Sequence, residues 1–218
     1  MSLRENASAL ELSAVLVVVF AFQVFFGFDP AFQAGESAWW KFFTSFLGHS
    51  GMEHLFNNLF FIALFGTMYR SFTSEKFFWA TFLVSAITAN LTAFIFYPNS
   101  PIIGASGGAM GLLAALAVYR PRKPGLALGV PLPMYMTLIV YLFINFFGIT
   151  GSSSVAYEAH LFGLFTGAAF GFWLRKKERQ RKKREKEERK NRRKGREVEE
   201  EEDSWRERIR QWEEKYMM

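Results

Sequence analysis

Six apolar runs, at roughly 8–28, 52–69, 77–97, 105–119, 126–147 and 157–174, set the pattern of the chain. A helix needs about 20 predominantly apolar residues to cross a bilayer, so these runs predict six membrane-crossing helices, two of them short. Polar punctuation marks their ends. Asn6 is a helix-cap residue before the first run, and Asp29-Pro30 is a turn signal after it. The second run starts by Gly51 and reaches Arg70; the third lies between Lys76 and Tyr97-Pro98-Asn99. The fourth stops at Arg120-Pro121-Arg122-Lys123-Pro124, the fifth near Phe147-Gly148 and the sixth at Arg175. Residues 30–48, with Trp39-Trp40 and several Phe, read as a loop at the membrane interface, where aromatic rings settle. The first run is too long and too weakly flanked by base for a clear signal peptide. The expected fold class is all-α: a polytopic membrane protein with a six-helix bundle over 1–174 and a charged extension over 175–218, partly helical or disordered.

Charge divides the chain in the same place. Residues 1–174 hold seven basic and seven acidic side chains, which cancel. The extension holds 19 basic and 13 acidic ones, the whole of the net +6. The basic balance is thus no sign of a nucleic-acid partner, which would need basic residues set among stacking aromatics on a folded face. Within the body, Arg70 and Lys76, then Arg120, Arg122 and Lys123, then Arg175-Lys176-Lys177 fall on one side, with Lys41 alone on the other. The excess of Lys/Arg marks the cytoplasmic side. Both termini are expected in the cytoplasm, in the cell membrane, with 29–51, 98–103 and 148–157 outside. The chain has no Cys, which excludes disulfide and thiolate chemistry.

Polar groups within a membrane are costly and mark function by default. At 1.5 Å rise per residue, Ser106 lies ~21 Å above Arg120, His160 ~22 Å above Arg175, and His54 and Asn58 ~24 and ~18 Å above Arg70. In a core of ~30 Å, four residues from three separate runs share one level below the outer surface. Ser106 stands in Gly104-Ala105-Ser106-Gly107-Gly108, opening a short helix. A serine becomes a nucleophile when a base within hydrogen-bond reach takes its proton, and His160 is the histidine available on the last run. Gly163, Gly167 and Gly171 follow it on one helical face. Small residues so spaced let membrane helices approach closely, here against the Gly- and Ala-rich fourth run. Such stripes also pack helices with no chemistry at all. His54 and Asn58, one turn apart, carry donors suited to an oxyanion beside the Ser106 N–H; alone, the pair reads rather as a hydrogen-bonded tie between helices. Gln23, Asn90 and Asn145 read as interhelical hydrogen bonds, Glu53 as a solvated edge residue, and Glu158 as facing away from His160. Three His without H-E-x-x-H spacing give little to hold a metal, and no cofactor is expected.

Taken together, His49-x4-His54-x3-Asn58, Gly104-Ala105-Ser106-Gly107 and Ala159-His160-x2-Gly163-x3-Gly167 resemble the rhomboid family of intramembrane serine proteases, in the family's order and over about residues 8–174. The resemblance implies Ser106 as nucleophile and His160 as its base, a dyad without a carboxylate. It implies His54, Asn58 and the Ser106 N–H as the oxyanion site, His49 as a builder of the outer loop, and single-span membrane proteins as substrates. It also likens the fifth run and loop 149–157 to the family's substrate gate and cap. Two positions depart from it. Trp40-Lys41 stands where the family often has Trp-Arg, and Lys lacks Arg's planar fork. Met110 stands where an aromatic often stacks on the histidine.

In the extension, Trp205, Ile209, Trp212 and Tyr216 share one helical face, which suits an interface helix on the inner leaflet slightly better than pairing with another helix. The basic residues that follow the sixth run could hold anionic headgroups. Two other classes compete with the protease reading. One is a catalytically inactive rhomboid-like membrane-protein binder, whose members typically lack the serine or the histidine. The other is a channel or transporter, which the lack of an inverted repeat and of charges within the runs speaks against.

Overall fold

The computed structural model describes residues 7–150 and 156–217. It divides into two compact units, Met1–Leu174 and Arg175–Met218, each described by itself. The first is predominantly helical: α1 (Ala7–Phe26), a short α2 (Lys41–Thr44) continued by a 3-10 turn, α3 (Met52–Phe61), α4 (Thr67–Arg70), α5 (Glu75–Phe96), α6 (Ser106–Tyr119), α7 (Met134–Gly148) and the first part of α8 (Tyr157–Tyr216). A π-helical turn at Ile62–Gly66 links α3 to α4, so that the second apolar run is one helix with a local widening. Among the described residues α1 and α5 are long and apolar enough to cross a membrane alone; α6 and α7 are apolar but shorter.

The structure is predominantly helical, as expected, with one added hairpin, and it corrects the start of the fifth run. Residues 126–133 are not helical. Strands β1 (Pro124–Ala127) and β2 (Val130–Pro133) form an antiparallel hairpin, with Ala127 paired to Val130. Pro131 and Pro133 explain the difference, because a proline inside a helix removes a backbone donor and clashes with the preceding turn. Leu128 and Gly129 at the tip both have positive φ, 52° and 79°, the geometry of a tight two-residue hairpin turn. The fifth helix therefore begins at Met134. In the second unit 175–216 is helical and carries i,i+4 ion pairs such as Lys182–Glu178 at 2.8 Å.

The core sits around α6. Eleven of its fourteen residues, Gly107 to Ala117, are buried. Leu112, Leu113 and Leu116 pack with Leu12, Leu16, Ile62, Phe65, Phe78, Phe82 and Leu164. Glycines set the closeness of the helices. A Cβ at Gly107 would overlap that of Ala89 on α5, and one at Gly163 or Gly167 would overlap the carbonyl oxygen of Gly107 or Gly111. No side chain separates α6 from α8 along this line, as small-residue packing requires. By contrast, α1 buries only Ser8, Ala9, Leu12 and Leu16 and turns Val18, Phe22, Val24 and Phe25 outward.

Candidate active site

The backbone–backbone contact of α6 with α8 brings the Ser106 Oγ to 2.7 Å from His160 Nε2. Ser106 is the first residue of α6, and Ala109 N–H makes the first helical bond, to Ala105 at 3.0 Å. The N–H groups of residues 106–108 thus precede the helical ladder, at the positive end of the helix dipole. The turn into α6 depends on Gly104, at φ +121°. Both its left-handed backbone and the absence of a side chain are required, since an added Cβ would strike the imidazole of His54. His54 is thereby set beside the serine turn.

The tautomer of His54 follows from its neighbours. The Ser50 backbone N–H donates to its Nδ1 at 3.4 Å, and the Ser50 hydroxyl lies 3.1 Å from the same atom. Nδ1 is then an acceptor and Nε2 carries the hydrogen, leaving a donor on the Gly104 side. Asn58 is buried, and its amide nitrogen donates to the His54 carbonyl of its own helix at 3.0 Å, which uses one of two amide hydrogens. His49 is buried with its ring edge-on to His54, centroids 5.1 Å apart. Burial, with the neighbouring His54 adding to it, pulls the His49 pKa down to about 4.

The outer loop is tied to this site by polar side chains. Gln23 on α1 pairs with the His49 backbone through both amide atoms, accepting from its N–H at 2.9 Å and donating to its carbonyl at 3.1 Å. Asn90 on α5 donates to the Phe42 carbonyl at 2.8 Å and the Ser45 hydroxyl at 2.9 Å. The Ser45 carbonyl in turn accepts from Gly104 N–H at 3.1 Å. Gln23, read from sequence as an interhelical bond, thus bonds from a helix to a loop, whereas Asn90 joins α5 to α2 as read and also reaches the turn that follows α2. Phe32 and Ile102 bridge through two backbone bonds of 3.0 and 2.8 Å, which fixes the segment just before the serine turn.

Two neighbours of His160 carry more than the sequence reading gave them. Asn145 on α7 is buried, and its Oδ1 lies 2.9 Å from His160 Nδ1. The ring of Tyr157, one turn before His160, meets it edge-on with centroids 6.1 Å apart. The signal for Tyr157 was in the sequence, since i and i+3 share a helical face; that for Asn145 was not, beyond its polarity in an apolar run. Met110 is buried in the α6 core. Lys41 forms an ion pair with Asp29 at 3.8 Å. Glu158 accepts from the Tyr97 hydroxyl at 2.6 Å, away from the serine and histidine, and Glu53 is exposed. Of the loop likened to a cap, residues 151–155 lie outside the described residues.

Comparisons with known proteins agree with one another. A family model described as the rhomboid domain matches residues 36–177. The Putative rhomboid protease YdcA of Bacillus subtilis is 28% identical over 159 residues, covering 71% of this chain and 76% of that one. Rhomboid protease GluP of the same organism is 30% identical over 154 residues, 68% of this chain and 29% of that one. The chloroplastic Rhomboid-like protein 11 of Arabidopsis thaliana is 33% identical over 78 residues, 35% of this chain and 28% of that one. The chain thus spans under a third of the length of GluP and of the plant relative.

Proposed function

This chain belongs to the rhomboid family, whose proteases act on membrane proteins within the bilayer, and on that premise we propose that it is an intramembrane serine endopeptidase. The observation that carries the proposal is the 2.7 Å contact of Ser106 Oγ with His160 Nε2. Ser106 is the nucleophile. His160 takes its proton as the oxygen attacks a peptide carbonyl, then returns it to the leaving amine, giving an acyl-enzyme that water cleaves by the same route in reverse. The charge on the carbonyl oxygen is met by the Ser106 N–H, His54 Nε2–H and the second amide hydrogen of Asn58. The substrates are single-span membrane proteins, cut near the outer surface.

The membrane arrangement is part of the same proposal. The six apolar runs cross the bilayer, with both termini in the cytoplasm of a cell membrane. The outward apolar faces of α1 and α7 support this, because soluble proteins rarely expose contiguous apolar patches of that extent. So does the basic end of the body, where Arg120 and Lys123 flank the ring of Phe72 at 5.4 and 5.2 Å. The basic stretch after Leu174 meets anionic headgroups on that side.

The test is cleavage of a model single-span substrate in proteoliposomes. Ser106→Ala should lower turnover by on the order of 1,000-fold or more, and a fluorophosphonate should label wild type at Ser106. Equal cleavage by both forms would remove the dyad. Binding without cleavage by wild type would instead make the chain an inactive binder.

A further inference from the structure

We infer that Asn145 is a positioning residue for the proposed reaction, fixing His160 in the one neutral tautomer that can act as a base toward Ser106; this rests on the protease reading above. A neutral imidazole carries one hydrogen, and only the nitrogen without it can accept the serine's proton. Nε2 faces the Ser106 hydroxyl at 2.7 Å and Nδ1 faces the Asn145 side-chain oxygen at 2.9 Å. If that neighbour is an oxygen, Nδ1 must hold the hydrogen and Nε2 is left as the base. An asparagine amide can be turned end for end, so its orientation has to be argued from the other contact. The Asn145 amide nitrogen lies 2.7 Å from the Tyr141 carbonyl. Turning the amide would set oxygen against oxygen at that distance and forfeit a buried hydrogen bond. The Tyr141 carbonyl therefore fixes the amide, the amide fixes the tautomer, and the tautomer frees Nε2.

The placement of Asn145 excludes a looser role. Only three residues of α7 are buried, Met134, Thr137 and Asn145. The first two lie in its first turn, next to the hairpin, where the missing Cβ of Gly125 leaves room for both. Asn145, 2% exposed, is the one buried side chain in the outer half of the helix, and its contact there is the histidine. The carbonyl dipole also faces the charge that forms on the ring as it takes the proton.

The experiment uses full-length protein with 15N-labelled histidine, whose nitrogen shifts distinguish the two neutral tautomers, with His160→Gln to assign the resonance. Wild type should show His160 as the Nδ1–H form. Asn145→Leu, which removes the acceptor, should move it to the Nε2–H form or a mixture. It should also lower kcat by roughly 10- to 100-fold with KM within about twofold. Asn145→Asp keeps an acceptor oxygen toward Nδ1, while its second oxygen loses the bond to the Tyr141 carbonyl, so it should retain the hydrogen on Nδ1 at a cost in melting temperature. An unchanged signal and rate in Asn145→Leu would overturn the proposal. Should that variant fail to fold, an Nε2–H signal in Asn145→Asp or in wild type would overturn it equally. The tautomer is read without substrate, so failure of the protease reading would appear separately, as absent fluorophosphonate labelling beside an intact Nδ1–H signal.

Discussion

Helices α6 and α7 have nearly the same length, 14 and 15 residues, and opposite construction. The first buries eleven residues, most of them Gly, Ala or Leu, and touches neighbours on every side. The second buries three and turns Tyr135, Met136, Ile139, Phe143, Phe146 and Phe147 outward. One half of the candidate dyad therefore starts a helix that has no room to shift. The other half is held from outside by a helix with little hold on the core. In a bilayer this contrast cannot be read as stable against unstable by exposure alone, since lipid replaces water around α7 and the outward Phe side chains lose nothing by facing it. What differs is packing: dispersion contacts and excluded volume act on α6 and hardly on α7.

The largest effect should come from breaking the seam of α6 with α8. Gly167→Leu sets four carbon atoms where the Gly111 carbonyl oxygen already excludes one, so the helices must part, moving Ser106 away from His160. The expected cost is about 3 kcal/mol or more, toward the upper end for overpacking because the obstacle is backbone. Thermal melts in detergent should show it, with cleavage lost. An active variant with unchanged melting would mean that the seam is looser than drawn.

The next effect lies in the loop over the serine turn. His49 is neutral when folded and its pKa is lowered from 6.5 to about 4 by burial. The unfolded chain binds the extra proton first as pH falls, so this stabilisation is complete above about 6.5 and is lost as pH drops from there towards 4. A shift of that size corresponds to about 3 kcal/mol at most. In His49→Phe the ring contact with His54 remains and the titration is gone. The fall in melting temperature between pH 7.5 and 5 should shrink in this variant. An equal fall would mean that other groups carry it.

The sequence disclosed the helices because each needs an apolar run, and the contact of Ser106 with His160 was legible because a constant helical rise set both at similar distances from a basic anchor. It also pointed to the α6–α8 seam, since Gly163, Gly167 and Gly171 admit a close neighbour and the fourth run was rich in small residues. It misled at 126–133, where Leu126-Ala127-Leu128 is as apolar as a helix. There Pro131 and Pro133 outweigh hydropathy, because a proline inside a helix removes a backbone donor and clashes with the preceding turn. It could not supply the pairing of Asn145 with His160, because they lie on different helices and nothing in their spacing of 15 residues selects one partner. Nor could it show that half of the Asn58 donor capacity is spent on its own helix, which depends on a rotamer.

The smallest effect is the sharpest test of the contrast between α6 and α7. Leu113→Ala and Phe143→Ala remove apolar atoms from neighbouring helices, and a transfer scale would make the phenylalanine the greater loss. Packing predicts the reverse. Leu113 is fully buried, and its removal leaves a cavity with a cost of about 2 kcal/mol. Phe143 is 57% exposed, and its ring contact is with Phe147 of its own helix, stacked at 6.0 Å. Since that pair moves with α7, Phe143→Ala should change stability by less than about 0.5 kcal/mol. Melting of both variants in one lipid or detergent decides it: a larger loss for Phe143→Ala would mean that α7 is held by contacts along its outward face, and the asymmetry between the two helices would fall.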